Sequence, residues 1–376
     1  MERFLEGRES AESHDEKVSQ FLGREGLRRL DASPKFSGHP EFVERPVNPE
    51  AVERLSPDSL RQYFETCGAR LERAMALGEE THTTLFPVAA IQKLEPVFYE
   101  DAPIPEGPSF IAQPVIRTQF WDKVSQGTST SFVNIATEHV GARMDEHIGH
   151  VHEWLQLMSS MGIKKEDLQY RLTASTERWN SRKVQCEVSK FYYQGMEIGD
   201  GVYIPDFPQA ERGPLKVSDV GFGMERLLWI LRGGNYFPLE GNEHDVDAAR
   251  SLALIAASGV QPGNRGREYR HRLYSKRLVQ SMKSGEEISK LISSAHAGWL
   301  PWMAEAKPVQ ETLGIIAEEY DRNLRRSLLD GLSINHADVG IDVNLPESTF
   351  FERLGSTSMD SSEISSLVDE YYRRKL

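Results

Sequence analysis

Residues 217–229 read Val-Ser-Asp-Val-Gly-Phe-Gly-Met-Glu-Arg-Leu-Leu-Trp. Val217 to Val220 read as a strand, Gly221 and Gly223 allow a tight turn and close approach of a ligand to the backbone, and Leu227, Leu228 and Trp229 open an apolar helix. Arg226, early in that helix, can reach a phosphate gathered at the helix N-terminus. By itself the segment reads equally well as a strand-turn-helix junction carrying a surface arginine. Just upstream, Val184–Tyr193, Gly201–Phe207 and Leu215–Val220 are three strand-like runs separated by Gly, Asp and Pro. No helix separates them, so antiparallel pairing is expected rather than a βαβ array.

Further out, Gln113-Pro114-Val115-Ile116-Arg117 reads as a strand that enters a polar loop, Gln119 to Ser131, and leaves through Phe132-Val133-Asn134-Ile135. A strand arginine can clasp a phosphate with two parallel hydrogen bonds, or simply be salt-bridged. The prolines between Thr81 and Val115 mark strand ends and loops. Ser56-Pro57-Asp58 is a helix start, followed by Leu60, Tyr63, Phe64, Cys67, Leu71 and Ala74 at helical offsets, which predicts a helix of about twenty residues. Residues 131–161 show helical spacing, with Ile148, Val151, Leu155 and Met158 on one face. Beyond Asp245 the pattern is helical to about Ala337, where 338–340 and 344–346 interrupt it. Residues 1–55 read as an arm, with a short helical pattern around Val18 to Leu30 and prolines at 34, 40, 46 and 49. With a boundary at the glycine-rich stretch 233–242, the expected organisation is an arm (1–55), an α+β domain (56–240) and an all-α domain (241–376).

The chain has 376 residues, and 44 Lys and Arg against 57 Asp and Glu give a net charge of −13. Cys67 and Cys186 can build neither a disulfide framework nor a zinc site, so a reducing cytoplasm is expected. The charged N-terminus and short apolar runs predict neither export nor a membrane span. Against the acidic total, residues 263–283 hold Arg265, Arg267, Arg270, Arg272, Lys276, Arg277 and Lys283 with only Glu268 in opposition, a local +6. Such concentration suits a nucleic-acid backbone, or else a solvated helix face paired with acids. His139, His147, His150 and His152 have irregular spacing and read as solvated or hydrogen-bonded rather than zinc-binding.

Taken together, the strand bearing Arg117 and the Asp219–Arg226 turn about 100 residues later resemble motifs 2 and 3 of the class II aminoacyl-tRNA synthetases. Within that class the chain resembles alanyl-tRNA synthetase, particularly its archaeal form, over roughly residues 57 to 360. Gln113–Arg117 is similar to the family's Gln-Pro-x-Ile-Arg, and Asp219–Arg226 to its Asp-x-Gly-x-Gly-x-Glu-Arg. Trp179, Cys186-Glu187-Val188 and Glu197–Asp200 follow in the family's order, and the helix from Ser56 with His82 and Pro87 resembles motif 1, the dimer-building element. The resemblance implies a class II antiparallel sheet flanked by helices, followed by a helical tRNA-recognition domain. It implies ATP held by Arg117 at the α-phosphate, by Arg226 at the γ-phosphate and along Gly221 and Gly223, with Mg²⁺ bridging the phosphates. Asp219 would pair with the amino acid's ammonium group. Trp179 would wall a small side-chain pocket unless it is a core aromatic, and Asp200 and Glu187 would complete the substrate site. Asn264, Arg265, Arg267, Arg270 and Arg277 would meet a tRNA acceptor stem, Asn264 reading its wobble pair, and a homodimer is possible.

The chain also departs from that pattern. Asn180–Gln185 replaces a longer glycine-rich stretch, the loop after Arg117 is shorter and lacks the family's paired Arg and His, and Val133 stands where the family has a glutamate. Asp200 stands at an asparagine position, which could favour a differently charged or hydroxylated substrate. Gly355, or Leu354 under a one-residue shift, falls where a second wobble-pair reader, an aspartate, is expected, with Asp360 nearby but off the match. The family's editing and C-terminal domains are expected to have no counterpart. These departures keep a second expectation open, activation of an amino acid for a small-molecule or protein acceptor, and a third, a binding module without adenylation.

Overall fold

A computed structural model describes residues 13–34, 48–79, 81–126, 128–180, 182–208, 213–232, 242–282, 284–331, 341–357 and 359–376. The expected boundary at 233–241, Lys283 and the interruption at 338–340 lie outside the described residues. The chain divides into two compact units: a sheet unit of 1–75, 81–115 and 132–236, and a helical unit of 76–80, 116–131 and 237–376.

Among the described residues the sheet has eight strands: β1 (Arg28–Arg29), β2 (Arg70–Leu71), β3 (Ser109–Ile116), β4 (Ser131–Val140), β5 (Leu168–Trp179), β6 (Arg182–Tyr193), β7 (Met196–Phe207) and β8 (Leu215–Gly223). Their order is β1-β5-β6-β7-β8-β4-β3-β2. β5, β6, β7, β8 and β4 pair antiparallel, as expected, while the two-residue strands β1 and β2 add parallel edges. The β6–β7 turn takes positive φ at Gln194 (48°) and Gly195 (83°), the backbone that a two-residue hairpin needs. β5, twelve residues long, was not anticipated beyond Trp179 at its end.

Helix α1 (His14–Arg24) and α2 (Pro49–Glu53) precede α3 (Pro57–Thr66). The Ser56 hydroxyl caps α3, with Pro57 in its first turn. α3 has ten residues rather than twenty, because Gly68 takes φ +87° just past its end and turns the chain out of the helix. Residues 90–99 are a 3₁₀ turn, Ala90–Leu94, running into α4 (Glu95–Tyr99), so that stretch is more than strand ends and loops. Likewise 131–140 is strand, and the helix expected from 131 begins only at Met144, as α5 (Met144–Ser160). Phe64 of α3 stacks on Phe110 of β3 with centroids 4.5 Å apart and meets Trp154 of α5 at 4.6 Å, and Trp154 reaches Phe222 of β8 at 4.9 Å. These rings fix α3 and α5 on one face of the sheet; burial of each such side chain contributes several kcal/mol at ~25 cal/mol per Å². β8 runs into α6 (Met224–Arg232).

The helical unit is built around α7 (Glu243–Ala257), buried without interruption from Val246 to Ala257. α8 (Gly266–Ser281), α9 (Gly285–Trp299) and α10 (Val309–Gly331) pack against it, and helices Glu347–Gly355 and Ser361–Arg374 follow. No helix among the described residues is long and apolar enough to cross a membrane.

Candidate active site on the sheet and basic helix

Register places Glu138, Asp219, Val202, Val188 and Thr173 in one row across β4, β8, β7, β6 and β5, and Ala136, Gly221, Asp200, Lys190 and Arg171 in the row two residues on. Side chains two residues apart share a face, so Asp219, Asp200, Glu138 and Lys190 stand together. On one side of them lies an apolar cluster that includes Val140, Val217, Cys186, Ile204 and Phe207 under Ile91, Leu94 and Phe98. On the other side Ala136 packs with Ala90 and Ile111. Asp219 and Asp200 are half-buried.

Burial, the Asp219 charge and the Glu72 charge, in that order, raise the pKa of Glu138 well above the usual carboxylate range. Burial first, then Glu177 and Asp219, pushes the Cys186 thiol up to about 12, so it is an inert core thiol. Burial works against the charge on Lys190, but the ion pair with Glu197 at 3.0 Å and the nearby Asp200 outweigh it, and its pKa is raised.

Gly221 and Gly223 close β8 on this same face. A Cβ on Gly221 would sit 3.0 Å from Asn134 Nδ2 and 3.4 Å from the Ala136 methyl, and one on Gly223 would touch the stem of Arg226 at 3.6 Å. Gly221 therefore leaves bare backbone beside Asp219, and the Arg226 stem lies over Gly223, its guanidinium donating to the Glu197 carbonyl. Glu225 points the other way in role: buried, it accepts the Val133 amide at 3.0 Å and ties α6 to β4. Asn134 accepts the Ala90 amide at 2.8 Å, fixing the 3₁₀ turn over this end of the sheet.

Two expected substrate residues stand elsewhere. Trp179 is six residues along β5 from Thr173, roughly 20 Å at about 3.3 Å per residue. There it packs on Phe207 (5.9 Å) and Phe98 (6.3 Å) and donates to Glu177 at 2.9 Å, the setting of a core-edge aromatic. Glu187 alternates with Cys186 and Val188 and so faces away from Asp219, in the row of Tyr203 and Ser218. That is the α5 side, where His147 bonds the Ser218 hydroxyl at 2.8 Å. His139 and His150 meet at 3.3 Å, and His150 lies 3.5 Å from Glu153.

Arg117 belongs to the helical unit, where its amide donates to the Thr130 carbonyl at 2.7 Å. The loop end 129–131 is pinned there by buried Asp247 of α7, which accepts from the Thr130 amide (2.7 Å), the Thr130 hydroxyl (2.6 Å) and the Ser129 hydroxyl (3.1 Å). Burial still raises the Asp247 pKa against those three bonds. Tyr274 of α8 adds a bond to the Thr130 hydroxyl at 3.0 Å.

The basic stretch divides by what its side chains already hold. Arg267 donates to the carbonyls of Gly78 and Glu79. Arg272 binds buried Glu319 at 2.9 Å and also donates to the Asn264 side-chain oxygen. Arg277 lies over the Trp121 ring at 4.0 Å and reaches His244. Asn264, Arg265 and Lys276 are exposed and Arg270 is half-buried. Gly355 ends its helix, and Asp360 caps the next one through the Ser362 amide at 2.7 Å.

No family model matches the chain. It is similar to the alanine–tRNA ligase of Pyrobaculum calidifontis, 22% identical over 318 residues, and to that of Pyrobaculum aerophilum, 24% over 319, each match covering 80% of this chain and 34% of the relative. The alanine–tRNA ligase of Korarchaeum cryptofilum is 25% identical over 207 residues, 51% of this chain and 22% of that protein. The chain thus spans about a third of the length of the first two relatives. A pyrrolysyl-tRNA synthetase from Desulfitobacterium hafniense superposes with a TM-score of 0.29 at 15% identity, over 58% of this chain and 68% of that one. A prolyl-tRNA synthetase from Cryptosporidium parvum superposes at 0.31 and 10%, over 70% and 66%. The chain is thus similar in sequence to a class II aminoacyl-tRNA synthetase. Within that class its sequence is alanyl-tRNA synthetase-like.

Proposed function

We propose that the chain activates a small, alanine-like amino acid with ATP as an aminoacyl-adenylate and transfers the acyl group to a tRNA 3′ end. The observation that carries this reading is the Asp219–Gly221–Gly223–Arg226 arrangement: a half-buried carboxylate, bare backbone beside it, and an arginine whose stem lies over Gly223. A carboxylate so set holds an ammonium group, and Arg226 pivots from the Glu197 carbonyl to a phosphate oxygen. The substrate carboxylate then attacks the α-phosphorus and pyrophosphate leaves. Neutralisation of charge by Arg226, together with positioning, supplies the acceleration, and no protein nucleophile is needed. Mg²⁺ carried in with the nucleotide would supply further neutralisation of charge at the phosphates. Trp179 and Glu187 have no part in this mechanism.

Amino-acid-dependent exchange of pyrophosphate into ATP, across glycine, alanine and serine, tests the reading. Exchange is expected with at least one of them and is lost in Arg226→Ala; no exchange with any, with or without tRNA, overturns it. A second reading, transfer to a small-molecule or protein acceptor, is favoured by Asn264, Arg267 and Arg277, whose polar groups are engaged within the helical unit. Label recovered on such an acceptor and never on tRNA would establish it.

A further inference from the structure

Beside Asp219 stands a second carboxyl group that the proposed reaction does not use. Glu138 lies opposite Asp219 in the β4–β8 register, on the same sheet face, and is 1 % exposed where Asp219 is half-buried. Both Glu138 side-chain oxygens are buried and have no hydrogen-bond partner among the described residues. A buried polar group without a partner costs about 1–3 kcal/mol, so its place beside the cation-binding carboxylate calls for a physical reason. The charged groups that act on it are Asp219 from β8 and Glu72 from the stretch after β2, and both oppose its ionisation, as burial does. In the ligand-free protein all three favour the protonated, neutral form of Glu138.

We propose that Glu138 is the proton-holding partner of Asp219, so that capture of the substrate ammonium group at Asp219 releases one proton from Glu138 to solvent. The inference rests on the ammonium-binding reading of Asp219. The balance is simple. The free site carries one proton on Glu138 and one negative charge on Asp219. The incoming ammonium brings the positive charge that makes a second carboxylate affordable, the Glu138 O–H bond breaks, and the proton leaves to water. The occupied site then holds two carboxylates facing one cation. Glu138, buried beside Asp219 on the neighbouring strand, acts through it as a positioning residue. The arrangement also disfavours ligands without a cation, because they leave Asp219 beside a protonated, unpaired Glu138.

The test is calorimetric binding of L-alanine, L-serine and glycine to the full chain from pH 6 to 8.5, in buffers of different ionisation enthalpy. Wild type is expected to release up to one proton per ligand, with the dissociation constant falling by up to about tenfold per pH unit through the Glu138 titration. Glu138→Gln, neutral and of the same shape, is expected to bind without proton release and with a flat pH profile. The proposal is overturned if wild type releases no proton, or if Glu138→Gln keeps the wild-type slope. Should that variant fail to fold, the buffer dependence of the wild-type heat decides alone. Failure of all three amino acids to bind at every pH refutes the ammonium-binding role of Asp219 itself, and the Glu138 proposal with it; binding without proton release refutes only the latter.

Discussion

Mild acid is expected to weaken the helical unit through a single side chain, His271. It lies on α8 with no exposed surface, and neither ring nitrogen has a hydrogen-bond partner among the described residues. Burial alone pulls its pKa down to about 4, whereas an unfolded histidine titrates near 6.5. The unfolded chain therefore takes up the proton first. Stability is complete above pH 6.5 and falls as the pH is lowered, until the folded ring also protonates near pH 4. Integrating the difference in proton binding, the loss at pH 5 is about 2 kcal/mol, close to 1.4 kcal/mol for each pH unit below 6.5. Urea unfolding of wild type and His271→Leu at pH 7.5, 6.5, 5.5 and 5 isolates this contribution, because every other titrating group is common to both. The free-energy gap between them is expected to move by about 2 kcal/mol in favour of the variant between pH 7.5 and 5. Parallel profiles would refute the reasoning and mean that the folded ring finds a partner or water that offsets its burial.

Asp247→Ala strips the buried Thr130 amide and hydroxyl of their acceptor and is expected to cost about 3 kcal/mol of stability by chemical denaturation. Gly221→Ala puts a methyl 3.0 Å from Asn134 Nδ2 on the Asp219 face, and calorimetry should find amino-acid binding weakened at least tenfold while the far-ultraviolet circular dichroism is unchanged. Arg265→Ala and Lys276→Ala, at exposed positions, are each expected to reduce the salt slope of tRNA binding by about 1. Arg267→Ala, which removes two bonds to backbone carbonyls, should instead lower stability and leave that slope alone.

The parts of the fold legible in the sequence are those where one local signal acts alone. The strand runs 184–193, 201–207 and 215–220 alternate under glycine and proline punctuation, and Ser56-Pro57 is a helix start whose chemistry is complete within four residues. Where that helix ends depended on Gly68, a left-handed stop that apolar periodicity runs straight through. β4 read as helix because Ile135, Ala136 and Thr137 are all buried, which erases the two-residue alternation of a half-exposed strand. β5 is mostly polar and half-exposed, so nothing in its hydrophobicity announced it. At the candidate site, Asp219, Gly221, Gly223 and Arg226 stand together because they lie on one continuous strand-to-helix junction. Trp179 and Glu187 do not, because strand parity and hairpin length decide their positions and neither is visible in motif order. Glu138 was missed, although an acid at an inward position of a strand is itself a signal once the strand is recognised.

The Asp247 anchor also sets an order of events during synthesis. Its bonds to Thr130 join residues 117 apart in sequence, and the segment 116–131 belongs with helices that are made much later. At about 5–20 residues per second, Thr130 leaves the ribosome roughly 6–20 s before its partner carboxylate exists. During that interval the 129–131 amides and hydroxyls lack their native acceptor. A nascent chain arrested before residue 247 should therefore stay open to protease in this loop while the strands on either side of it are protected, and closure should come abruptly when α7 emerges.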